Sequence, residues 1–213
     1  FAGYSMFQNL CAGSQDKDGK DATNDMSYMC INATLHVLLP QPSFSVRVWN
    51  GSPHEFLLRA AEVTRTGVGL PAYYNDEVII PSLMSRGVTL EDARNYNIIG
   101  CVEPQAPAKT DGWHDAAFFN MCRPLELVFS NGVDKGVQVG LRTGELHEFT
   151  TFEKFYDAYK AQMNYFIKLL VNADNAIDMA HARRCPLPYQ SCMIEDCIGR
   201  GKSLQEGGAI YNF

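Results

Sequence analysis

The sequence predicts an α/β fold with parallel strands, and three observations lead to that prediction. Strand-like and helix-like patterns alternate along the whole 213-residue chain, as they do in βαβ units. Hydrophobic residues make up 46% of the chain and charged residues 20%, a composition typical of a protein with a packed core. No internal repeat or linker interrupts the pattern, so we interpret the chain as one piece of one domain.

Two strands and one helix are predicted after a polar loop at residues 13–25. The apolar run at 35–39 and the alternating run at 44–49 each predict a strand. Residues 52–55, Ser-Pro-His-Glu, place an N-cap serine, a proline at the first helical position and a glutamate three residues after the cap. This order predicts a helix that ends near Gly67.

The middle of the chain predicts short elements that lead to a tight turn. Residues 70–77 indicate an extended piece that runs into a loop, and two short helices are predicted at 81–86 and 89–96. The apolar pair that follows, closed by Gly100, predicts a buried strand that ends in a turn. That turn presents Cys101.

Two helices are predicted in the C-terminal half. The first covers residues 116–129, although Pro124 inside it should break or kink the helix. Residues 150–153 carry a second capping-box pattern and begin a helical pattern that extends to Arg184. The Cys-Pro pair at 185–186 then ends that helix.

Charge and cysteine content narrow the class of protein. The net charge is -6 with no long basic run, so we expect no nucleic-acid partner. No apolar stretch approaches the roughly 20 residues that span a bilayer, so no membrane segment is predicted. Seven cysteines without a signal peptide favour reduced thiols and a cytoplasmic protein. The abrupt termini indicate a fragment.

Two candidate metal sites were weighed and not favoured. Four residues near the C-terminus are soft ligands for zinc, but their spacing lacks a close C-x2-C pair; they are His181, Cys185, Cys192 and Cys197. The acidic segment at 16–21 has its glycine at the wrong position for a calcium loop and no closing glutamate. We therefore predict no metal site and a polar turn at 16–21.

The informative segment is Cys101-Val102-Glu103. A thiol and a carboxylate two residues apart lie on the same side of an extended backbone and can face one substrate. A nearby carboxylate raises the pKa of a thiol and so disfavours a nucleophilic thiolate. A radical reaction needs no ionised thiol, and it leaves Glu103 free to remove a proton from a substrate hydroxyl. The tripeptide alone also fits a buried structural cysteine beside a surface glutamate.

The surrounding sequence resembles the cysteine loop of the glycyl radical enzymes, and within them the cobalamin-independent glycerol and propanediol dehydratases. Residues 98–105, Ile-Ile-Gly-Cys-Val-Glu-Pro-Gln, and 109–115, Lys-Thr-Asp-Gly-Trp-His-Asp, carry the resemblance. Further similar segments are spread over the whole chain, at 19–24, 39–47, 55–62, 69–77 and 207–213.

The resemblance implies a large enzyme of which this chain is one part. Residues 1–213 are identified as the central segment of a pyruvate formate-lyase-like catalytic domain, part of a ten-stranded α/β barrel. The glycyl radical lies outside this chain and is installed by an activating enzyme that uses S-adenosylmethionine and an Fe–S cluster. No cofactor is bound directly. A small-molecule substrate, a homodimer and a cytoplasmic or bacterial-microcompartment location are also implied.

The same resemblance implies roles for four residues. Cys101 becomes the thiyl radical, Glu103 is the base for the substrate hydroxyl, and Asp115 binds the diol. Phe7 lies at a substrate-binding position where the glycerol dehydratases have tyrosine, and the loss of that polar contact disfavours glycerol. Val102 follows Cys101, whereas pyruvate formate-lyase itself has two adjacent cysteines, so formate-lyase activity is disfavoured.

The function predicted on this basis is elimination of water from a small vicinal diol of the glycerol or 1,2-propanediol type. The first alternative is a glycyl radical lyase that cleaves a C–N, C–S or C–C bond in choline, hydroxyproline, isethionate or an arylacetate. Asp115 favours a diol, because its carboxylate can accept a hydrogen bond from a second hydroxyl, and it would repel an anionic substrate such as isethionate. The second alternative is an inactive fragment without a radical partner.

Overall fold

The computed structural model describes residues 9–111 and 116–212. The chain divides into two compact units. The first contains the described residues up to 111 together with 187–212, and the second contains residues 116–186.

A three-stranded parallel sheet forms the centre of the first unit. Its strands are β1 (Asn9–Gly13), β2 (Ser43–Val48) and β3 (Ala72–Asn75), in the order β1-β2-β3. This sheet confirms the prediction of an α/β fold with parallel strands and the strand predicted at 44–49. Gly13 turns out of β1 with a φ of +87°, and a Cβ there would lie 2.5 Å from the carbonyl oxygen of Arg47, so the close packing requires glycine.

The strand predicted at 35–39 is wrong, because the first three of these residues end helix α1 (Asp25–Val37). Asn24 caps this helix by accepting hydrogen bonds from the backbone N–H groups of Met26 and Ser27. The helix ends at Leu38, which adopts the left-handed conformation with a φ of 51°. A short apolar run does not distinguish a buried strand from the last turn of a helix.

Helix α2 (His54–Arg65) confirms the helix predicted from 52 to Gly67, but its cap differs from the prediction. Pro53 occupies the N-cap position, and the hydroxyl of Ser52 instead accepts a hydrogen bond from the backbone N–H of Trp49. The buried residues of α2 have helical spacing and pack on the sheet with α1. This first core consists of Ala12, Ile31, Phe44, Val46, Phe56, Ala60, Val63 and Leu70.

Helix α3 (Asp76–Ser85) begins directly after β3, so the predicted loop at this point and the helix start at residue 81 are both wrong. The side chain of Asn75 caps the helix by accepting a hydrogen bond from the backbone N–H of Glu77, and Pro81 lies inside the helix. The asparagine cap is a stronger start signal than the proline, because proline is also tolerated in the first turns. Helix α4 (Leu90–Arg94) lies within the predicted range of 89–96.

The buried strand predicted before Gly100 is confirmed and forms half of a hairpin. Strand β4 (Asn97–Ile99) pairs with β5 (Glu103–Gln105) in an antiparallel arrangement. Tyr74 and Ile98 belong to a second buried core that Cys11 also contacts. We call the face of the parallel sheet that carries Cys11, Ser45, Arg47 and Tyr74 the hairpin face.

The second unit is built on two packed helices. Helix α5 (Cys122–Phe129) is shorter than predicted, because residues 116–120 have no regular structure and Pro124 falls in the first turn, where a proline costs no hydrogen bond. Strands β6 (Val133–Asp134) and β7 (Val137–Gln138) form a small hairpin. Helix α6 (Phe152–Arg184) has the predicted extent.

The cap of α6 and a buried glutamine fix this unit in detail. The hydroxyl of Thr151 accepts a hydrogen bond from the backbone N–H of Lys154, so the cap lies one residue later than the predicted capping box requires. Gln162 is fully buried and exchanges hydrogen bonds with both backbone groups of Leu141, at 2.9 and 2.6 Å. The glutamine thus satisfies the backbone N–H and C=O of Leu141, as a neighbouring strand would in a sheet.

The chain returns to the first unit through the short helices α7 (Pro188–Cys192) and α8 (Cys197–Arg200). A small third core there contains Cys197, Leu204 and Ala209. In the described part of the chain, no helix has both the length and the apolar character needed to cross a membrane.

Candidate active site

Cys101 lies at the tip of the β4–β5 hairpin. Ile99 pairs with Glu103, so Gly100, Cys101 and Val102 form a three-residue loop between the strands. Gly100 begins this loop with a φ of +61°, a left-handed conformation that glycine adopts without strain. The turn predicted from the sequence therefore presents an exposed, free thiol.

The Glu103 carboxylate turns back onto the loop that carries the cysteine. Its Oε2 atom accepts hydrogen bonds from the backbone N–H groups of Cys101 and Val102, at 2.8 and 2.9 Å. In the described residues, Oε1 has no hydrogen-bond partner and is free to accept another donor. The structure thus brings together the thiol-bearing residue and the carboxylate that the sequence predicted to act with it.

Tyr74 holds the other backbone polar group of Cys101. Its hydroxyl donates a hydrogen bond to the Cys101 carbonyl oxygen. Burial raises the pKa of Tyr74, so the phenol keeps the proton that it donates. Both the N–H and the C=O of Cys101 are therefore fixed by side chains of the protein.

A buried ion pair supports the base of the hairpin. Arg47 from β2 contacts Asp76 at the start of α3 through two parallel hydrogen bonds of 3.0 and 3.1 Å, and only 6% and 0% of the two side chains is exposed. The guanidinium also donates to the carbonyl oxygens of Tyr96 and Arg94. These contacts join the sheet, α3 and the segment that leads directly into β4.

Tyr96 completes this arrangement one residue before the hairpin. Its hydroxyl donates to Asp76 at 2.8 Å, and its ring lies 3.6 Å from the guanidinium carbon of Arg47. Burial raises the pKa of Tyr96. Ser14 donates to the second Asp76 oxygen at 2.9 Å, so each carboxylate oxygen accepts two hydrogen bonds and each guanidinium nitrogen donates at least one, as a buried ion pair requires.

The hairpin face is polar beneath the cysteine loop. The Ser45 hydroxyl is fully buried and donates to the Asn9 side-chain oxygen at 2.8 Å. Cys11 lies beside them, and burial raises the pKa of its thiol, which keeps it protonated. Parallel strands with both faces covered are usually apolar throughout, so polar side chains here favour a functional surface.

The segment after the hairpin is anchored by a second ion pair. Lys109 contacts Asp92 of α4 at 2.6 Å, and Tyr211 donates to the other oxygen of that carboxylate. Burial raises the pKa of Asp92, but hydrogen bonds from Lys109 and Tyr211 lower it by more, so the net shift is downward. The backbone N–H of Tyr211 also donates to the Lys109 carbonyl.

The predicted site residues divide into two groups. Cys101 and Glu103 lie together in the hairpin, while Phe7 and Asp115 lie outside the described residues. The sequence reasoning assigned no role to Arg47 or Tyr74. The period-two alternation of β2 could have identified Arg47 as a polar residue on one face of the sheet, but the contact of Tyr74 with the hairpin depends on the tertiary fold.

Among the described residues, no cluster of three or more His, Cys, Asp or Glu side chains could hold a metal ion. The acidic segment at 16–21 forms a turn in which the Asp16 carboxylate accepts the backbone N–H groups of Asp18 and Lys20. That turn agrees with its prediction.

The fold and the hairpin define an α/β protein with a free thiol on a loop that a carboxylate closes. The sequence model of the pyruvate formate lyase-like family matches residues 1–213, and the chain belongs to that family, which confirms the resemblance. Solved relatives include the glycerol-bound B12-independent glycerol dehydratase from Clostridium butyricum, with 63% identity over the whole chain and a TM-score of 0.92.

Two further relatives are similar over nearly the same length. A Roseburia inulinivorans structure described for 1,2-propanediol dehydration has 67% identity over the whole chain and a TM-score of 0.92. The (2S)-3-sulfopropanediol dehydratase of Klebsiella oxytoca has 37% identity over 96% of the chain. The chain spans about a quarter of the length of these relatives, 25% to 27%.

Proposed function

We propose that this chain carries the thiol–carboxylate part of a glycyl radical hydro-lyase that removes water from a small vicinal diol. The observation that carries the proposal is the hairpin, in which Cys101 is a free, exposed thiol and the Glu103 carboxylate lies against its backbone. A thiol that relays hydrogen atoms must be unbonded and open to approach, and Cys101 fits that requirement.

A glycyl radical outside this chain would remove the hydrogen atom of the Cys101 thiol. An activating enzyme with S-adenosylmethionine and an Fe–S cluster would install that radical. Cys101, as a thiyl radical, takes a hydrogen atom from the hydroxyl-bearing carbon of the substrate. Glu103 accepts the proton of that hydroxyl through its free Oε1 atom. Glu103 returns this proton to the adjacent hydroxyl, which leaves as water, and the Cys101 thiol returns its hydrogen atom to the substrate carbon radical to give an aldehyde or ketone.

Three supporting arguments indicate the substrate class. The named substrates of the three relatives are glycerol, 1,2-propanediol and a sulfopropanediol, all of which contain a diol. Asp115 is proposed to accept a hydrogen bond from a substrate hydroxyl, and Phe7 to lie beside the part of the substrate that has no polar partner. An apolar ring at that position favours 1,2-propanediol over glycerol, whose third hydroxyl would remain unpaired.

The proposed context follows from the family. We propose that residues 1–213 form the central segment of a ten-stranded barrel, to which the three-stranded parallel sheet of the first unit contributes. The complete enzyme is proposed to be a cytoplasmic homodimer. A barrel interior would protect the substrate radical from water and oxidants.

The first experiment replaces the thiol in the complete, activated protein. Cys101→Ser should abolish turnover of 1,2-propanediol while the glycyl radical remains detectable by electron paramagnetic resonance. Cys122→Ser is the matched control, because Cys122 is also an exposed free thiol but lies in the other unit. Turnover by Cys101→Ser would contradict the radical mechanism, and an inactive parent protein with a normal radical would contradict diol dehydration.

The second experiment separates the two carboxylates. Glu103→Gln preserves the shape of the side chain but removes the base, so the turnover rate should fall by about 10²-fold or more. Asp115→Asn should reduce diol turnover by about tenfold, the value of one charge-assisted hydrogen bond. Measuring 1,2-propanediol, glycerol and choline in parallel tests the substrate class, and equal small effects of Asp115→Asn on all three would contradict diol recognition.

A further inference from the structure

Tyr74 occupies a position in the first unit that the radical chemistry does not explain. It lies on β3, 27 residues before the cysteine, and its ring is packed in the second core, where only 9% of the residue is exposed. Its hydroxyl nevertheless extends out of that apolar cluster to the Cys101 carbonyl oxygen. A tyrosine whose ring is held by packing places its hydroxyl with little freedom.

The contacts of the hydroxyl define what it restrains. The Glu103 carboxylate accepts a hydrogen bond of 2.8 Å from the backbone N–H of Cys101. The Tyr74 hydroxyl donates a hydrogen bond to the backbone carbonyl of Cys101. With both backbone groups fixed, the direction of the Cα–Cβ bond is fixed as well, and only rotation about that bond remains for the thiol.

We propose that Tyr74 is a positioning residue that directs the Cys101 thiol, an inference that rests on the proposed function of Cys101 as the hydrogen-atom relay. Hydrogen-atom transfer requires the Cys101 sulfur to lie within contact distance first of the α-carbon of the radical glycine and then of the hydroxyl-bearing carbon of the substrate. A displacement of about 1 Å can reduce such a rate by about 10²-fold. Strand β3 thereby restrains a loop whose N–H groups are otherwise held, within the described residues, by Glu103 of the same hairpin.

The structure supplies a matched pair of tyrosines for the test. Tyr73, the preceding residue, points to the opposite face of the sheet, where its hydroxyl contacts Thr64 at 2.8 Å. Tyr74→Phe and Tyr73→Phe each remove one hydrogen-bonded hydroxyl from the same strand. Only the first variant removes the contact with Cys101.

The kinetic test uses the complete, activated protein with 1,2-propanediol. Tyr74→Phe should reduce kcat by about tenfold, leave KM within twofold of the parent value and leave the glycyl radical signal unchanged. Tyr73→Phe should match the parent in all three measurements. Equal kcat values for the two variants, or a loss of Tyr74→Phe activity that appears in KM alone, would overturn the positioning role.

A second measurement does not depend on the substrate. In the unactivated protein, the alkylation rate of Cys101 by iodoacetamide, mapped by mass spectrometry, should rise at least threefold in Tyr74→Phe, because the released loop exposes the thiol more often. Cys122 serves as the internal reference and should not change. If the parent protein does not convert diols, the proposed function fails, while the alkylation rate still decides the role of Tyr74: an unchanged rate overturns it.

Discussion

Two arginine–aspartate pairs, one in each unit, have the same chemistry and opposite surroundings. Arg47 and Asp76 in the first unit are almost fully buried, with 6% and 0% of their side chains exposed. Arg123 and Asp134 in the second unit are 2.6 Å apart, with 43% and 36% exposed. Contact distance is therefore a poor guide to what a pair contributes, and we expect burial to decide its effect on stability.

The largest effect is expected from breaking the buried pair. Asp76→Asn keeps the shape of the side chain but leaves the guanidinium of Arg47 buried without a counter-charge. The free energy of unfolding should fall by about 3–5 kcal/mol, measured by urea denaturation of the complete protein. Asp134→Asn is the matched control at the exposed pair, and a comparable loss in that variant would contradict the comparison.

Replacing both partners at once sharpens the same comparison. Arg47→Met combined with Asp76→Leu removes the uncompensated charge, so the double variant should be more stable than Asp76→Asn. We nevertheless expect the double variant to turn over substrate more slowly than the parent enzyme, because the guanidinium also holds the carbonyl oxygens of Arg94 and Tyr96 before the hairpin. Recovery of both stability and turnover would show that the pair has no role in fixing the hairpin.

An intermediate effect is expected at the partly exposed pair of Lys109 and Asp92, whose side chains are 29% and 14% exposed. The pKa of Asp92 is lowered in the folded state, so its contribution is complete above the unfolded value of about 3.9 and is lost as the pH falls through the lower folded value. Asp92→Asn should cost about 1.5–3 kcal/mol at pH 7. The difference between the parent and the variant should narrow below about pH 4, and a difference independent of pH would contradict this assignment.

The smallest effect is expected at the exposed cluster of the second unit. Arg123→Ala removes contacts with Glu126 and Asp134, all of which water can replace. The midpoint of denaturation should be unchanged within error, and it should vary less with salt concentration in the variant than in the parent protein. A clear loss of stability in 0.5 M salt would indicate that these side chains contribute through packing.

Local patterns predicted those elements whose signals lie within a few residues. The long helix α6, helix α2 and the strand before Gly100 are all predicted, because helical periodicity, a proline at the helix start or a closing glycine marks each of them. The strand prediction at 35–39 is wrong, because residues 35–37 form the last turn of α1 and a short apolar run has the same pattern in a buried strand as at the end of a helix. The start of α3 was missed because the asparagine cap precedes the proline by six residues.

The candidate site shows the same limit between local and tertiary information. Cys101 and Glu103 are two residues apart, so their proximity could be predicted from the sequence. Tyr74 reaches the cysteine loop across 27 residues, and the buried pair of Arg47 and Asp76 spans 29. Contacts of that separation depend on how the strands and helices pack, and no pattern in a single sequence specifies them.

The alternating strand β2 limits how this stretch of chain can change in evolution. Its residues Phe44 and Val46 face the two helices, whereas Ser45 and Arg47 face the hairpin. Deleting or inserting one residue within the strand would exchange the two sets, placing the guanidinium in the apolar core and removing the partner of Asp76. We therefore expect differences in length among homologues to fall in the loops on either side of β2, at residues 38–42 and 49–53, while the strand itself keeps its six residues.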